Sequence, residues 1–331
     1  MNRRNGPAWL HALLSARMPL ILGLLVVAVT LLTGGRFASI DNLVNVLRQV
    51  SFEGMIALGM TLVIVTGGID LSVGSLVALT GVIAAIVMES LDSASPAASI
   101  GLGFGAGMAL GGVSGAISGT IVARLSIPPF IVTLAGMLIA RGFAFIACDG
   151  QPVYRLPEEL TWWGRGFVLE QLLGRLLPTP VLLMFVAYFV FLLLFRCSVF
   201  GRSVVAIGSN EQAAYLAGIP VRRVKATVYM LTGLLCGLVG VLQDAKLMAG
   251  DPKVGEMWEL NVIAAVVVGG TSLFGGRGTI TGTLIGAFII GVLNNSLNLL
   301  HVEHFWQKVV LGAVILAASL VDAWLLRWKS R

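Results

Sequence analysis

Charged residues are scarce in this chain. Only 11% of its 331 residues are Asp, Glu, Lys or Arg, whereas a soluble globular domain carries roughly a quarter. Together with 57% hydrophobic residues and a mean hydropathy of +0.94, this excludes a soluble domain and leaves a polytopic membrane protein. Spans of about 20 residues each leave little chain for anything else, so a separate catalytic domain is excluded as well.

Cysteine is rare and nucleotide-binding motifs are absent. The three cysteines, Cys148, Cys197 and Cys236, lie within or beside apolar stretches without metal-ligand spacing and are predicted to be small core residues. No Gly-x-x-x-x-Gly-Lys-Ser/Thr loop is present to hold phosphates. No enzyme activity, cofactor or metal is therefore expected in this chain, and the energy for uphill transport must enter through a partner.

Long apolar segments are what the sequence has instead. They predict an all-α polytopic membrane protein with about ten transmembrane helices, forming a single transmembrane domain over residues 1–331. No small-residue cleavage site follows the first segment, which is therefore predicted to stay as an uncleaved helix. The segments are Met18–Thr33, Phe52–Thr66, Leu71–Met88, Ala98–Ala123, Phe130–Cys148, Thr179–Phe195, Ala226–Met248, Asn261–Phe274, Thr279–Leu300 and Val309–Leu326.

The distribution of basic residues predicts the orientation. Cytoplasmic loops of membrane proteins are enriched in Lys and Arg. With both termini in the cytoplasm, thirteen basic residues fall inside and seven outside, so the net charge of +6 requires no nucleic acid. The inside set is Arg3, Arg4, Arg17, Arg124, Arg196, Arg202, Arg222, Arg223, Lys225, Arg277, Arg327, Lys329 and Arg331.

Two loops are too long to be tight connectors. Residues 149–178 are polar, contain Trp162 and Trp163 and are predicted outside, whereas residues 196–225 are basic and predicted inside. Loops longer than about 12 residues are commonly functional or disordered. The acids Asp251, Glu256 and Glu259 are assigned to a further outside loop. We therefore expect contacts with other molecules on both faces of the membrane, besides the membrane lipid.

The apolar run from Val50 to Met88 is interrupted by residues 66–75, which contain Gly67, Gly68 and Asp70. Freed backbone groups and an acid cannot face hydrocarbon, so this stretch must be enclosed by protein or line a wet cavity. A broken helix inside the bundle is predicted here.

Residues 268–276, near the C-terminus, contain a similar pair of glycine doublets, too short a similarity to indicate an internal repeat. Glycine-interrupted segments in the two halves of a chain are typical of a transport pathway. A polar cluster in the ninth segment, with Asn294 and Asn298 on one helix face, is a further candidate. The predicted pathway residues are Gly67, Gly68, Asp70, Ser72, Gly269, Gly270, Thr271, Asn294 and Asn298.

Several of these residues have two interpretations at this stage. Asp70 is expected to cap the helix that begins near Leu71, to face the pathway, or to do both. Asn294 and Asn298 are expected to bond neighbouring helices or to face the pathway. Glu53, Arg141, Asp244 and Lys246 are further charged candidates at or near membrane depth, and for Asp244 and Lys246, close to a predicted helix end, the alternative is that they reach water.

The fourth apolar segment, Ala98–Ala123, is rich in glycine. Gly107, Gly111 and Gly115 follow one another at spacings of four residues, with further glycines between and around them. Small residues at this spacing let two helix backbones approach closely in lipid. A packing role is predicted for them.

The interruptions and several other motifs resemble the ribose-type permeases of bacterial ABC importers. These motifs are Gly59–Thr61, Gly67–Ser75, Ile127–Met137 with Arg141-Gly142, Gly269–Gly278 and Gly291–Asn295, and the resemblance runs from about Asn42 to Asp322. It implies a type II ABC-importer-like permease in the bacterial inner membrane. Its implied partners are a second permease copy or paralogue, a cytoplasmic ATP-binding subunit that holds ATP and Mg²⁺, and a periplasmic sugar-binding protein.

The resemblance also implies roles for the two loops. Residues 196–225 are similar to a cytoplasmic coupling loop that docks on the ATPase, with Asn210, Glu211, Ala214 and Gly218 as candidate coupling residues. The residues themselves predict a short amphipathic helix capped by Asn210, for which a basic helix lying on the membrane surface is the alternative. Residues 149–178 become a periplasmic loop facing the binding protein, although Trp162 and Trp163 equally suit an interfacial anchor.

The predicted function is import of a monosaccharide, a ribose-like pentose or a hexose. The alternative is an ion-coupled secondary transporter or facilitator for a small polar solute, which also uses broken helices but calls for a richer relay of charged residues.

Overall fold

The computed structural model describes residues 8–91, 95–125, 127–168 and 170–329. Arg3, Arg4 and Arg331, three of the basic residues predicted inside, lie outside these ranges. Fourteen α-helices and no β-strand form within them. The helices are α1 Ala8–Leu32, α2 Ile40–Val65, α3 Val73–Ser90, α4 Pro96–Leu125, α5 Pro129–Ala147, α6 Thr161–Arg165, α7 Glu170–Leu173, α8 Thr179–Cys197, α9 Val199–Ser209, α10 Glu211–Leu216, α11 Val221–Leu247, α12 Trp258–Val268, α13 Ile280–Leu299 and α14 His304–Lys329.

Each of the ten predicted apolar segments corresponds to one helix. Among the described residues, seven helices are long and apolar enough to cross a membrane: α2, α3, α4, α5, α8, α11 and α13. The other three segments appear as the shorter apolar stretches Met18–Leu32, Trp258–Val268 and Phe305–Ala317. The all-α, multi-pass prediction is confirmed.

Contacts between loops and helix ends define two ends of the bundle. At one end, Arg48 near the start of α2 donates to the Arg165 carbonyl of α6 at 3.3 Å; we call this the α6 end. At the other end, the Gly276 amide before α13 donates to the Val65 carbonyl at the end of α2 at 2.9 Å. Helix α9 also lies there, and we call it the α9 end. The two long loops are thus on opposite ends.

Helices α4 and α11 pack through glycine, as the spacing predicts. A Cβ on Gly111 would overlap the Gly233 carbonyl, and one on Gly115 would overlap the Tyr229 carbonyl. The absence of these Cβ atoms brings the two backbones into direct contact, which is how helices associate in lipid without a hydrophobic drive.

Helix α3 begins inside the bundle rather than at its end. The Thr133 hydroxyl of α5 donates to the Ile69 carbonyl at 3.1 Å, and Ser72 lies beside Gly136. Gly136 is seven residues from the start of α5, or about 10 Å at 1.5 Å per residue. The first interruption therefore lies within the depth that α5 spans, and the prediction of a broken helix is confirmed.

Helix α12 is short because it, too, begins inside the bundle and not at its end. The chain leaves the α6 end at Gly250, which pairs with Val153 through backbone bonds of 2.9 and 3.1 Å and packs against Ala85. It then runs along α3 to Gly255, which packs against Gly74. Eleven residues of α3 correspond to about 16 Å. Helix α12 therefore begins deep in the bundle, beside the start of α3.

Two expectations fail in this region. Asp244 is only 2% exposed because α3 closes on α11 at Gly81, so the carboxylate does not reach water. Glu259 does not lie in an outside loop: its carboxylate packs against Gly74. The predicted segments leave residues 249–260 as an outside loop, but residues 249–257 re-enter the bundle and Glu259 already belongs to α12.

The α4–α11 contact predicts a large difference between two neighbouring glycines. Gly111→Ala adds a Cβ that overlaps the Gly233 carbonyl, whereas Gly105→Ala adds one with nothing within 4 Å. Gly111→Ala should destabilise the detergent-solubilised protein by about 1–3 kcal/mol, the usual cost of overpacking. Thermal unfolding should show a lower midpoint for Gly111→Ala only; equal midpoints for both variants would contradict this packing.

Candidate functional site

Glycines from three distant parts of the chain meet at the α9 end. A Cβ on Gly208 of α9 would overlap the Val65 carbonyl, and a Cβ on Gly275 would lie 3.0 Å from the Gly208 carbonyl oxygen and 3.2 Å from the Gly67 Cα. We call Gly67, Gly208, Gly275 and Gly276 the glycine junction. The two predicted interruptions touch each other there, and α9 touches both.

The second interruption supplies the remaining predicted glycines. Gly269 ends α12 and packs against Gly282 of α13. Gly270 has a φ of +89°, which only glycine adopts without strain. Thr271 is buried, and its hydroxyl has no hydrogen-bond partner among the described residues. These three predicted residues thus lie close to the junction.

Asp70 serves the start of α3. Its Oδ1 accepts the Ser72 amide at 2.9 Å and the Ser72 hydroxyl at 2.6 Å, and the side chain is 1% exposed. These bonds fix the turn that enters the helix. Ser72 is the N-cap residue of α3, and no side-chain cap bond reaches the first helical turn, so Asp70 supports the helix start through Ser72 and does not cap it directly. In this conformation Ser72, and not Asp70, borders the neighbouring cavity.

That cavity, of about 710 Å³, runs between α3, α4 and α5. Its wall is mostly aliphatic, with Ser72, Ser114 and Ser118 as hydroxyl-bearing members. Large apolar side chains of α5 such as Phe130, Leu138 and Phe143 are exposed on the same helix. The region is suited to cover by lipid or by another membrane subunit.

Asn294 and Asn298 lie apart from the other predicted pathway residues. Asn298 accepts from Gln307 at 2.9 Å, and the adjacent Asn295 exchanges bonds of 3.0 and 3.1 Å with Asn42 of α2. The Asn298 bond joins α13 to α14 at the α6 end, in agreement with the interhelical interpretation of that residue, whereas the Asn294 side chain forms no hydrogen bond among the described residues. The structure does not bring these asparagines to the glycine junction.

Helix α10 follows directly from α9. The Asn210 side chain accepts the Ala213 amide at 2.9 Å, so the predicted cap is confirmed. Glu211 pairs with Lys225 at 2.7 Å, Ala214 is buried, and Gly218 ends the turn with a φ of +81°.

A polar cavity of about 430 Å³ separates α10 from the first interruption. Thr66, Gly67 and Gly208 line one part of it, and Glu211 and Lys225 line another. The four candidate coupling residues therefore lie on the segment that continues from the glycine junction.

Sequence analysis missed two parts of the site. Gly208 is the first residue of the 208–219 segment that resembles a coupling loop, but no local pattern indicates that its backbone packs against both interruptions. The second part is a charged cavity of about 340 Å³ where Arg141 of α5 faces Lys253, Glu256 and Glu259. The signal was Arg141 itself, a charged residue at membrane depth.

Metal binding finds no support in the described part of the chain, where no group of three or more His, Cys, Asp or Glu side chains is placed to hold an ion.

Comparison with known proteins identifies the chain. A family model described as branched-chain amino acid transport system / permease component matches residues 42–319. The chain belongs to this family. The match covers every helix that lines the glycine junction, so the interrupted helices are part of a permease component, a transport subunit that spans the membrane several times.

Curated relatives cover nearly the whole permease. The ribose import permease protein RbsC of Bacillus subtilis is 47% identical over 284 residues, 85% of this chain and 84% of its own length. RbsC of Escherichia coli K12 is 43% identical over 316 residues, 94% of each chain. The L-arabinose ABC transporter permease protein AraH of Azospirillum brasilense is 38% identical over 321 residues, 97% of this chain and 90% of its own. No solved structure matches the chain.

The two interpretations of Asp70 predict different variants. Asp70→Asn keeps an acceptor for the Ser72 amide, whereas Asp70→Ala leaves that buried amide unpaired, at a cost of about 1–3 kcal/mol. If Asp70 acts only by fixing this turn, Asp70→Ala should lower the midpoint temperature of thermal unfolding. Asp70→Asn should leave the midpoint nearly unchanged and retain uptake. Loss of uptake in a stable Asp70→Asn variant would instead support direct contact with the solute.

Proposed function

We propose that this permease carries a monosaccharide, a pentose such as ribose or arabinose in the first place, as the membrane-spanning part of an ABC importer. The support is the agreement of relatives named for ribose import and L-arabinose transport over at least 84% of both chains. The family description names branched-chain amino acids instead, but no relative reported above carries such a name.

The energy enters, in this proposal, through a separate cytoplasmic ATP-binding subunit that docks on α9 and α10. The observation that carries the proposal is the contact of Gly208 with Val65 and Gly275. A displacement of α10 passes through α9 into both interruptions without any intervening side chain. Packed backbones transmit such shifts because close-packed interiors deform little.

The proposed orientation places the α9 end in the cytoplasm. Arg196, Arg202, Arg222 and Arg223 lie in the 196–225 coupling loop at that end, as the positive-inside rule requires. The α6 end, with the 149–178 loop, then faces the periplasm and receives the sugar-binding protein of a bacterial inner-membrane importer. The ring centroid of Trp163 in that loop lies 5.2 Å from that of Phe104 on α4 and 5.3 Å from that of Trp162. These ring contacts hold the proposed docking surface, the 149–178 loop, against the bundle.

A second permease copy or paralogue completes the proposed passage. Among the described residues, no helix covers the exposed face of α5, and Arg141 of this helix lies at membrane depth beside the charged residues Lys253, Glu256 and Glu259. Charged groups do not face acyl chains at this depth. We therefore place the solute route along α5, between two permeases.

Ion-coupled transport is the second candidate, and Asp244 is the observation that favours it. The carboxylate is buried at membrane depth, and its Oδ2 has no hydrogen-bond partner among the described residues. Buried carboxylates of this kind serve proton relays in secondary transporters. Asp70, the other fully buried acid, is already bonded to Ser72, so Asp244 has no adjoining relay in the described structure.

Reconstituted uptake separates the two functions. Vesicles containing the permease, its ATPase and a sugar-loaded binding protein should accumulate ribose or arabinose only with ATP inside, because the chain has no energy source of its own. An ionophore should leave this uptake intact. Uptake by the permease alone in response to a proton or sodium gradient would overturn the ABC proposal.

The coupling loop predicts a pair of matched charge variants. Glu211→Gln removes the pair with Lys225 at the α9 end, while Glu170→Gln removes the comparable pair with Arg175, 2.9 Å long, at the α6 end. Only Glu211→Gln should weaken co-purification of the ATPase, by about 1–2 kcal/mol if Glu211 is an interface residue, or roughly tenfold. Insertion should be unaffected in both.

Gly218→Val extends the same test, because a φ of +81° is strained for any β-branched residue. Equal ATPase recovery from Glu211→Gln, Gly218→Val and Glu170→Gln preparations would contradict docking at α10.

A further inference from the structure

The segment between α11 and α12 brings charge into the interior of the bundle. Arg141 Nη1 donates to the carbonyl oxygens of Val254, at 2.8 Å, and of Pro252. These bonds hold the re-entrant segment 249–257 against the middle of α5. Arg141 is six residues from the end of α5 at Ala147, or about 9 Å along the helix axis, so the contact lies within the membrane-spanning depth.

A cavity of about 340 Å³ opens at this contact, a size within the roughly 300–1,000 Å³ of small-molecule sites. Charged groups of both signs line it, together with the Ser75 hydroxyl and apolar side chains that include Phe145. Small-ligand sites commonly combine an apolar wall with a few precisely placed polar groups. The charged members are Arg141, Lys253, Glu256 and Glu259.

Among the residues that the structure describes, the charged side chains of this cavity do not form ion pairs with one another. Arg141 is attracted by Glu256 and Glu259, yet within the described ranges neither acid forms an ion pair within 4.0 Å; the pairs found there join other residues. The hydrogen bonds of the Arg141 side chain among these residues all come from Nη1. Its remaining nitrogens and the two carboxylates keep their capacity to bind a ligand.

The charged side chains of this cavity lie at membrane depth, which restricts what this face of α5 can contact. Ionised side chains at such a depth are stable only when they are paired, enclosed by protein or wet. Lys253 and Glu256 are exposed, so this face of α5 cannot lie against acyl chains and must border water or a solute. Helices α3 and α12 also begin here, since Gly74 contacts Gly255, and the amides at their starts add hydrogen-bond donors.

We propose that this cavity is a transient binding site for the hydroxyl groups of the imported monosaccharide. Glu256 and Glu259 accept hydroxyl protons, Arg141 and Lys253 donate to hydroxyl oxygens, and Phe145 packs against the C–H face of the ring. The proposal rests on the monosaccharide function proposed above and adds a site within the permease. No predicted pathway residue is part of it.

The test uses the complete importer in proteoliposomes, with ribose and arabinose as probes. Glu256→Gln and Glu259→Gln keep the shape of the side chain but remove its charged acceptor. Lys253→Gln removes a charged donor that lies outside any helix and leaves both acids in place. Gly105→Ala on α4, whose added Cβ meets nothing within 4 Å and which lies outside the cavity and both docking loops, is the control. Each loss of a hydrogen bond to a charged group is expected to lower uptake about tenfold, while Gly105→Ala stays at the wild-type rate.

A second readout separates binding from folding or docking. ATP hydrolysis stimulated by the loaded binding protein should stay within about twofold of wild type in all variants, since none of them touches α9 or α10. Reduced uptake with intact hydrolysis supports the site. Wild-type uptake in Glu256→Gln, Glu259→Gln and Lys253→Gln overturns it while leaving the monosaccharide function standing.

Failure of the function itself gives a different result. A wild-type importer that takes up leucine but neither ribose nor arabinose would overturn the monosaccharide function and, with it, the assignment of hydroxyl groups to this cavity. Equal loss of uptake and of stimulated hydrolysis in all three variants, with lowered melting temperatures, would overturn the site by assigning these charges a structural role.

Discussion

The structure depends on one constraint: backbone polar groups within the bilayer must find partners in the protein, because no water is available to them. Two glycine-rich breaks nevertheless separate α2 from α3 and α12 from α13, and the first of them reaches into the depth that α5 spans. The Gly276 amide pairs with the Val65 carbonyl at 2.9 Å, so each interruption satisfies groups freed by the other. Only glycine allows the required approach at Gly208 and Gly275, whose Cβ atoms would meet opposing backbone. The glycine junction is therefore both a solution to the constraint and a direct link between the interruptions and α9.

The same constraint explains where polar side chains lie. Asp70 is bonded to Ser72, Glu53 accepts from Asn261 at 3.0 Å, and Arg141 is held by carbonyl oxygens of the re-entrant segment. Each therefore stabilises a break or a short helix that hydrocarbon alone would not tolerate. Polar groups left with binding capacity concentrate where α3, α5 and α12 meet. The proposed solute route runs past α5 at this point, and in the same proposal a force applied at α10 acts on the two interruptions through the glycine junction.

The helices and the first interruption were predictable from sequence because their signals are local: apolar runs of sufficient length, paired glycines and the spacing that packs Gly111 on α11. The cap at Asn210 is local as well. The entry of residues 249–257 into the bundle was not predictable, since a polar segment between two helices looks like an outside loop until Arg141 is seen to bind it. Gly208 and the separation of Asn298 from the junction depend on contacts between residues far apart in the chain, which no local pattern encodes.

The central claim is that motion of α10 reaches both interruptions through Gly208. It is tested most directly by measuring sugar uptake and ATP hydrolysis together in the reconstituted importer carrying Gly208→Ala, with Gly101→Ala, whose Cβ meets nothing within 4 Å, as the control. The account predicts that Gly208→Ala hydrolyses ATP but imports several-fold less sugar per ATP, because the added methyl group separates α9 from the Val65 carbonyl, while Gly101→Ala keeps the wild-type ratio. An unchanged ratio of sugar imported to ATP hydrolysed in Gly208→Ala would contradict it.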